Sequence, residues 1–153
     1  MSWQAAATVP SETEREAILE VHTYVRQHVD PPSKNMRLMK YSGTMEGLAE
    51  KWVDRCVSRK PDPSIYKDYA GTAQVLIVSH KSQTTFTKTI SAVKEEAQHY
   101  EYRDNTCTGE CDFYKQIIWA NLTEVGCAMK TCVTYVQRKV TPANVVVCVY
   151  KIA

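Results

Sequence analysis

An α+β domain is predicted, and three observations predict it. Helical periodicity marks the chain up to about residue 99. Runs rich in β-branched and aromatic residues follow from residue 113 onward. Helices first and strands later point to segregated elements and a mostly antiparallel sheet. A length of 153 residues with 44% hydrophobic content suits one domain with a real core. Residues 1–10 are read as a disordered or appended segment and residues 11–153 as the domain. The net charge is +2, the two signs are interspersed and no basic stripe stands out, which argues against nucleic acid as a partner. Its longest apolar runs, "AQVLIV" and "NVVVCVY", are too short to cross a bilayer as a helix.

Ser11 followed by Glu14 reads as a capping box, so a helix is expected to run to about His28. Ala17, Ile18, Val21 and Val25 form its apolar stripe, and Pro31 in "DPPSKN" lies beyond its end. Thr44 is the expected cap of a second helix, in which Met45, Leu48, Ala49, Trp52, Val53 and Cys56 recur at helical spacing. "AQVLIVS" has strand length and composition. Phe86, Ile90, Val93 and Ala97 predict one continuous third helix over 84–99. "FYKQIIWAN", "VGCAMKTCVTYVQRK" and "NVVVCVYKI" are then read as strands. Alternation along the first of these puts Phe113, Ile117 and Trp119 on one face and Tyr114 and Ile118 on the other. That makes Trp119 a core residue.

Six cysteines, Cys56, Cys107, Cys111, Cys127, Cys132 and Cys148, suggest three disulfides and an oxidising compartment. Asn121-Leu122-Thr123 is an N-glycosylation sequon and points the same way. The opening "MSWQAAATVPSETE" has neither a basic n-region nor an apolar h-region, so it is no signal peptide. Either the chain is a mature form with a new start or the protein stays inside the cell; the cysteines favour the first, so secretion is expected. A competing reading gathers Cys107, Cys111, Cys127 and Cys132 into a four-thiolate zinc site, but it leaves two cysteines over.

Several separated segments resemble the CAP superfamily of cysteine-rich secretory, antigen 5 and pathogenesis-related proteins, including the venom-allergen-like proteins of parasitic worms. "ILEVHTYVRQHVDPPSKNMRLMKYS" is similar to the family's first helix and loop, and "LAEKWVDRC" to its second helix. "YEYRDNTCTGEC" followed by "FYKQIIWANLTEVGCAMKTC" resembles its most specific signature, and "VVVCVY" its last core strand. The match covers about residues 14–151. It implies an α–β–α sandwich with a three-stranded antiparallel sheet between helices. It also implies the pairs Cys56–Cys132, Cys107–Cys111 and Cys127–Cys148.

Many members of that family hold a divalent metal on two histidines and two glutamates. The positions that resemble those ligands are Lys60, Gln74, Glu96 and Phe113 here, so one ligand of the four remains. Phenylalanine has no lone pair, a protonated lysine repels a cation, and an amide oxygen is a poor zinc ligand. No metal and no cofactor are expected, and Lys60 is placed to pair with Glu96 if the cleft persists. His22, in "HTYVR" with Arg26, is read as a hydrogen-bonded helix histidine, and His28, His80 and His99 as solvated. No Gly-x-Ser-x-Gly elbow, P-loop or His-Glu-x-x-His is present, and bridged cysteines leave no thiol nucleophile. An enzyme is not expected.

Two properties attributed to some family members need no metal. Sterol binding requires an apolar surface flanked by aromatic rings. The resemblance places it at Tyr100, Tyr102, Phe113, Tyr114 and Trp119, where a caveolin-binding-like aromatic pattern is only partly matched because Leu122 replaces the next aromatic. Fatty-acid binding between helices would use Ile18, Val21, Val25, Ile90 and Val93, which any core would also use. The opposing expectation is a secreted interaction protein whose loops, 30–44, 60–70 and 100–112, bind a host or other extracellular protein.

Overall fold

A computed structural model of the chain describes residues 6–80, 84–136 and 139–153. Helix α1 runs Glu12–Gln27. Ser11 Oγ accepts from Glu14 N at 3.2 Å and Ser11 N donates to Glu14 Oε1 at 3.0 Å, so the capping box closes in both directions. Its buried stripe is Ile18, Val21, His22, Val25 and Arg26. Strand β1 is only Lys40–Tyr41, and helix α2 follows at Gly43–Val53. Its cap is Ser42, whose Oγ accepts from Met45 N, and not Thr44. Ser42 has the extended backbone that an N-cap needs, while Thr44 already lies in the first turn. The helix also stops before Cys56, which adopts a left-handed φ of 51°.

Strand β2 is Thr72–Ser79. The expected third helix is broken into α3, Phe86–Ser91, α4, Val93–Glu96, and a 3₁₀ turn over Ala97–His99. A two-residue ladder joins β3, Tyr100–Glu101, to β4, Thr106–Cys107. "FYKQIIW" is not a strand. Asp112–Ile117 forms the short helix α5, which buries Phe113, Tyr114 and Ile117 together. Strands β5, Leu122–Val136, and β6, Lys139–Ile152, complete the chain.

The sheet order is β1-β5-β6-β2. Its three long strands are antiparallel, as expected, but a fourth strand is added: β1 lies parallel to β5, with Lys40 opposite Glu124. Both faces of β6 are buried. Val146, Cys148 and Tyr150 face a core that includes Ile18, Phe86, Ile90, Phe113 and Ile117, and Val145, Val147 and Val149 face Met45, Ala49, Trp52 and Tyr69. Helices thus cover the sheet on both sides. The N-terminal boundary also moves. Thr8 exchanges two backbone hydrogen bonds with Met129, and Ala7 and Val9 pack on the α2 core, so ordered structure begins before residue 11. Residues 1–5 of the expected N-terminal segment lie outside the described residues.

Disulfides join Cys56 to Cys132, Cys107 to Cys111 and Cys127 to Cys148, which leaves no thiolate for the four-cysteine zinc alternative. The first bridge closes a 76-residue separation across α2 and β5. The second closes the loop that precedes α5.

Candidate functional site

Three short segments meet beside the C-terminal end of α1. One is the loop Val29–Ser33 with Met36, the second is the β3 turn, and the third is α5 with Ile118. Between them lies a cleft of about 250 Å³ whose walls include Pro31, Pro32, Met36, Tyr100, Tyr102 and Tyr114. A wider hollow of about 990 Å³ shares Tyr100, Tyr102 and Tyr114 and opens toward Arg103 and Asp104. Tyr114 is buried, Tyr100 is half-buried and Tyr102 is 59% exposed, so the rings step from floor to rim. The Tyr100 and Tyr114 centroids are 5.8 Å apart and tilted by 54°. Tyr100 donates its hydroxyl to Asn105 Oδ1 at 3.1 Å, and Lys115 Nζ lies 5.9 Å from its ring centroid. Burial, then Tyr100 and Asp30, raises the Tyr114 pKa, which keeps the phenol neutral.

Arg26 fixes two of these walls relative to each other. Its guanidinium donates to the carbonyls of Ile117, Trp119, Ala120 and Leu122 on one side and of Arg37 on the other, at 2.6–3.3 Å. Glu96 fixes the third, because its Oε1 accepts from Phe113 N at 3.2 Å and so ties α4 to α5. Burial, together with Glu110 and Asp112, raises the Glu96 pKa to about 7 against the pull of the backbone donors.

Of the five residues expected to form a sterol loop, the structure brings Tyr100, Tyr102 and Tyr114 to one cleft. Phe113 does not join them: it packs in the α1-side core, 6.5 Å from the His22 ring. Trp119 does not join them either, and the expectation that it is a core residue is overturned, since it is 45% exposed. The alternation that placed it inside belongs to a strand, and the chain there is the end of a helix followed by a turn. Sequence reasoning missed Pro31, Pro32, Met36 and Ile118, although "DPPSKNM" supplied the signal of a rigid loop with an apolar residue after it. Ile18, Val21, Val25, Ile90 and Val93 are all buried in one packed cluster, where they serve as core.

The four positions resembling metal ligands are not gathered into a site. Glu96 meets the backbone of Phe113. Gln74 lies on the other sheet face, since its neighbours Ala73 and Val75 pack toward α1 and Leu76 toward α2. Its amide donates to Thr72 Oγ1 at 2.7 Å. Lys60 is exposed, and among the described residues no ion pair joins it to Glu96. A buried phenyl ring, an exposed ammonium and an amide on the wrong face do not fit a divalent cation.

His22 is fully buried. Nδ1 lies 2.7 Å from the Ile18 carbonyl and Nε2 2.7 Å from the Tyr150 hydroxyl. A carbonyl only accepts, so Nδ1 carries the proton and Nε2 accepts from Tyr150. Burial, and then Arg26, lowers the His22 pKa to about 4. His28 and His80 are exposed, and His99 is half-buried with Thr108 Oγ1 3.5 Å from its Nδ1.

These two groups oppose each other in stability against pH. The unfolded chain protonates His22 near pH 6.5 and the folded one only near 4. His22 therefore contributes about 3 kcal/mol above pH 6.5 that is lost as pH falls toward 4. The folded Glu96 takes up its proton near 7 and the unfolded one near 4.5, so stability is gained as pH falls through that window. Chemical denaturation between pH 7 and 4 should show a shallow profile for the unsubstituted chain. Glu96→Gln should fall more steeply toward acid, and His22→Gln should rise. Parallel profiles for all three would overturn both assignments.

The model of the CAP, cysteine-rich secretory protein, family matches residues 19–150. Mouse glioma pathogenesis-related protein 1 is 29% identical over 134 residues, covering 83% of this chain and 52% of its own length. The mouse peptidase inhibitor R3HDML is 30% identical over 126 residues, covering 76% of this chain and 49% of its own. The chain thus spans about half the length of these curated relatives. Among solved structures, Schistosoma mansoni venom allergen-like protein 4 superposes with a TM-score of 0.66 at 25% identity, covering 93% of this chain and 89% of that one. NaASP2, solved with Zn2+, shares the fold with a TM-score of 0.67 at 20% identity, over 94% and 83% of the two chains. On the match across residues 19–150, the chain belongs to the CAP family of cysteine-rich secretory proteins.

Proposed function

We propose that this chain is a secreted, non-catalytic carrier that takes a sterol, or another flat apolar lipid, in the tyrosine cleft. The carrying observation is the convergence of Tyr100, Tyr102 and Tyr114 with Pro31, Pro32, Met36 and Ile118 on one surface opening. Rigid proline walls and tilted aromatic rings offer apolar area at little entropic cost, and the phenol hydroxyls offer polar contacts to a ligand hydroxyl. Cysteines that are all bridged support passage through an oxidising compartment. No described helix is long and apolar enough to cross a membrane. The scattered positions of Lys60, Gln74, Glu96 and Phe113 support a role without metal hydrolysis.

The test is equilibrium binding of labelled cholesterol to the oxidised protein. Tyr100→Ala/Tyr102→Ala should weaken binding by roughly 10- to 100-fold, the equivalent of one or two lost ring contacts. These rings are partly exposed, so the variant should keep its fold; Leu38→Ala, outside the cleft, should bind normally. Absence of saturable binding by folded protein would end this reading. A second reading then takes its place, protein binding through exposed loops. It is favoured by Leu38 at 75% and Ile65 at 69% exposure and by relatives named as peptidase inhibitors.

A further inference from the structure

We propose that Asn121 carries an N-linked glycan whose first N-acetylglucosamine packs on the exposed indole of Trp119. The inference rests on the secretory reading above and assigns a role to a residue that the cleft does not use. Trp119, Ala120, Asn121 and Leu122 form one tight turn, closed by the Leu122 N–H donating to the Trp119 carbonyl at 3.3 Å. Asn121 is exposed at the third position of this turn, and Trp119, at the first, is 45% exposed. The turn is held from below: Arg26 donates to the carbonyls of Trp119 and Ala120, and Ala153 N donates to that of Asn121. An indole and an asparagine two residues apart on a rigid turn are suitably placed for a sugar ring to cover the indole. The apolar C–H face of a pyranose suits the electron-rich face of an indole. This gives an occupant to the part of the Trp119 ring that the protein itself leaves uncovered.

The modification balances as a glycosyl transfer. The Asn121 Nδ2–C1 bond forms as the C1–O bond to a polyprenyl-pyrophosphate-linked oligosaccharide breaks. The pyrophosphate leaves with the electron pair, and the amide proton passes to a base of the transferase. In the folded chain Leu122 is fully buried and enters β5. Transfer therefore belongs to the nascent chain, before this turn closes.

The test expresses the full chain through a eukaryotic secretory route behind a removable leader. Intact mass should show a glycan on Asn121 that is lost in Thr123→Ala. Two trimmed forms are then compared: one keeps a single N-acetylglucosamine, and the other has the sugar removed entirely. The single-sugar form should melt about 2–4 °C higher, and its Trp119 should be shielded from acrylamide quenching. In Trp119→Ala the two forms should melt together. Oxidised, secreted protein without sugar at Asn121 would overturn the proposal. So would a glycan whose removal changes neither melting nor quenching. A thiol count separates the premise from the proposal: free thiols in the chain from its native source would mean that the secretory reading fails, whatever happens at Asn121.

Discussion

Replacing Arg26 with alanine is expected to remove about 3–5 kcal/mol of stability, a large part of what a domain of this size possesses. The residue is 4% exposed, and its guanidinium is shared among five backbone carbonyls rather than paired with a carboxylate. Burial lowers its pKa, but it remains a cation, so the carbonyl dipoles carry the compensation. In Arg26→Ala at least two of the five carbonyls keep a backbone donor, Leu122 N on Trp119 and Arg37 N on Ala120. Any carbonyl without a second donor loses its partner at a position that is 4% exposed in the unsubstituted chain. Arg26→Lys should fall between, because one ammonium has three donors on a single point and cannot span the loop at Arg37 and the turn at Trp119 together. Urea denaturation of the oxidised protein, followed by tryptophan fluorescence, measures this. A loss below about 1 kcal/mol would mean that water replaces the guanidinium freely. The same substitution should weaken ligand binding in the cleft even where the protein stays folded, since Met36 and Ile118 lie on the two walls that Arg26 joins.

Local chemistry was legible in the sequence, and long-range chemistry was not. The capping box at Ser11 and Glu14 acts over three residues and was readable, as were the β-branched runs of β2, β5 and β6. α5 was misread because its phenylalanine, tyrosine and isoleucines favour strands, while its helical state is secured from elsewhere. Glu96 accepts from Phe113 N, Cys107 tethers Cys111, and Arg26 donates to the Ile117 carbonyl at the end of the helix. The i, i+1, i+4 spacing of Phe113, Tyr114 and Ile117 did carry a helical signal, masked by composition. Misreading α5 then misplaced Trp119. The break between α3 and α4 had no glycine or proline to announce it.

The candidate site divides along the same line. Its tyrosines could be named from the signature that resembles the family, whereas its opposite wall, Pro31, Pro32 and Met36, lies more than sixty residues earlier in the chain. Only the fold places the two together. The four positions resembling metal ligands show the converse: matching residues one by one named the side chain at each position, but gave no sign that Gln74 would stand on the other side of the sheet.

Gly126→Ala is the second large effect expected, and it probes a contact that no local pattern encodes. Gly126 lies in β5 where the first turn of α2 crosses it. A Cβ there would overlap Glu46 N and sit 2.5 Å from Met45 C and 2.6 Å from Glu46 Cα, all backbone atoms. No rotamer change relieves such a clash, so the helix must lift from the strand. Lifting it would open the packing of Met45, Ala49 and Trp52 on Ala128 and Val147. It would also disturb Glu46, which accepts two bonds from Arg15 at 3.0 Å and one from the Tyr41 hydroxyl at 2.7 Å. The cost should reach or exceed about 3 kcal/mol, the upper part of the range for an overpacked core. Gly47→Ala, one residue past Glu46 on the same helix, supplies the control with the opposite sign. Nothing lies within 4 Å of its added Cβ, so it should stabilise α2 by up to about 1 kcal/mol through helix propensity. Denaturation midpoints that move in opposite directions would establish the close approach of α2 to β5. Equal, small shifts would mean that the helix stands farther from the strand than this packing requires.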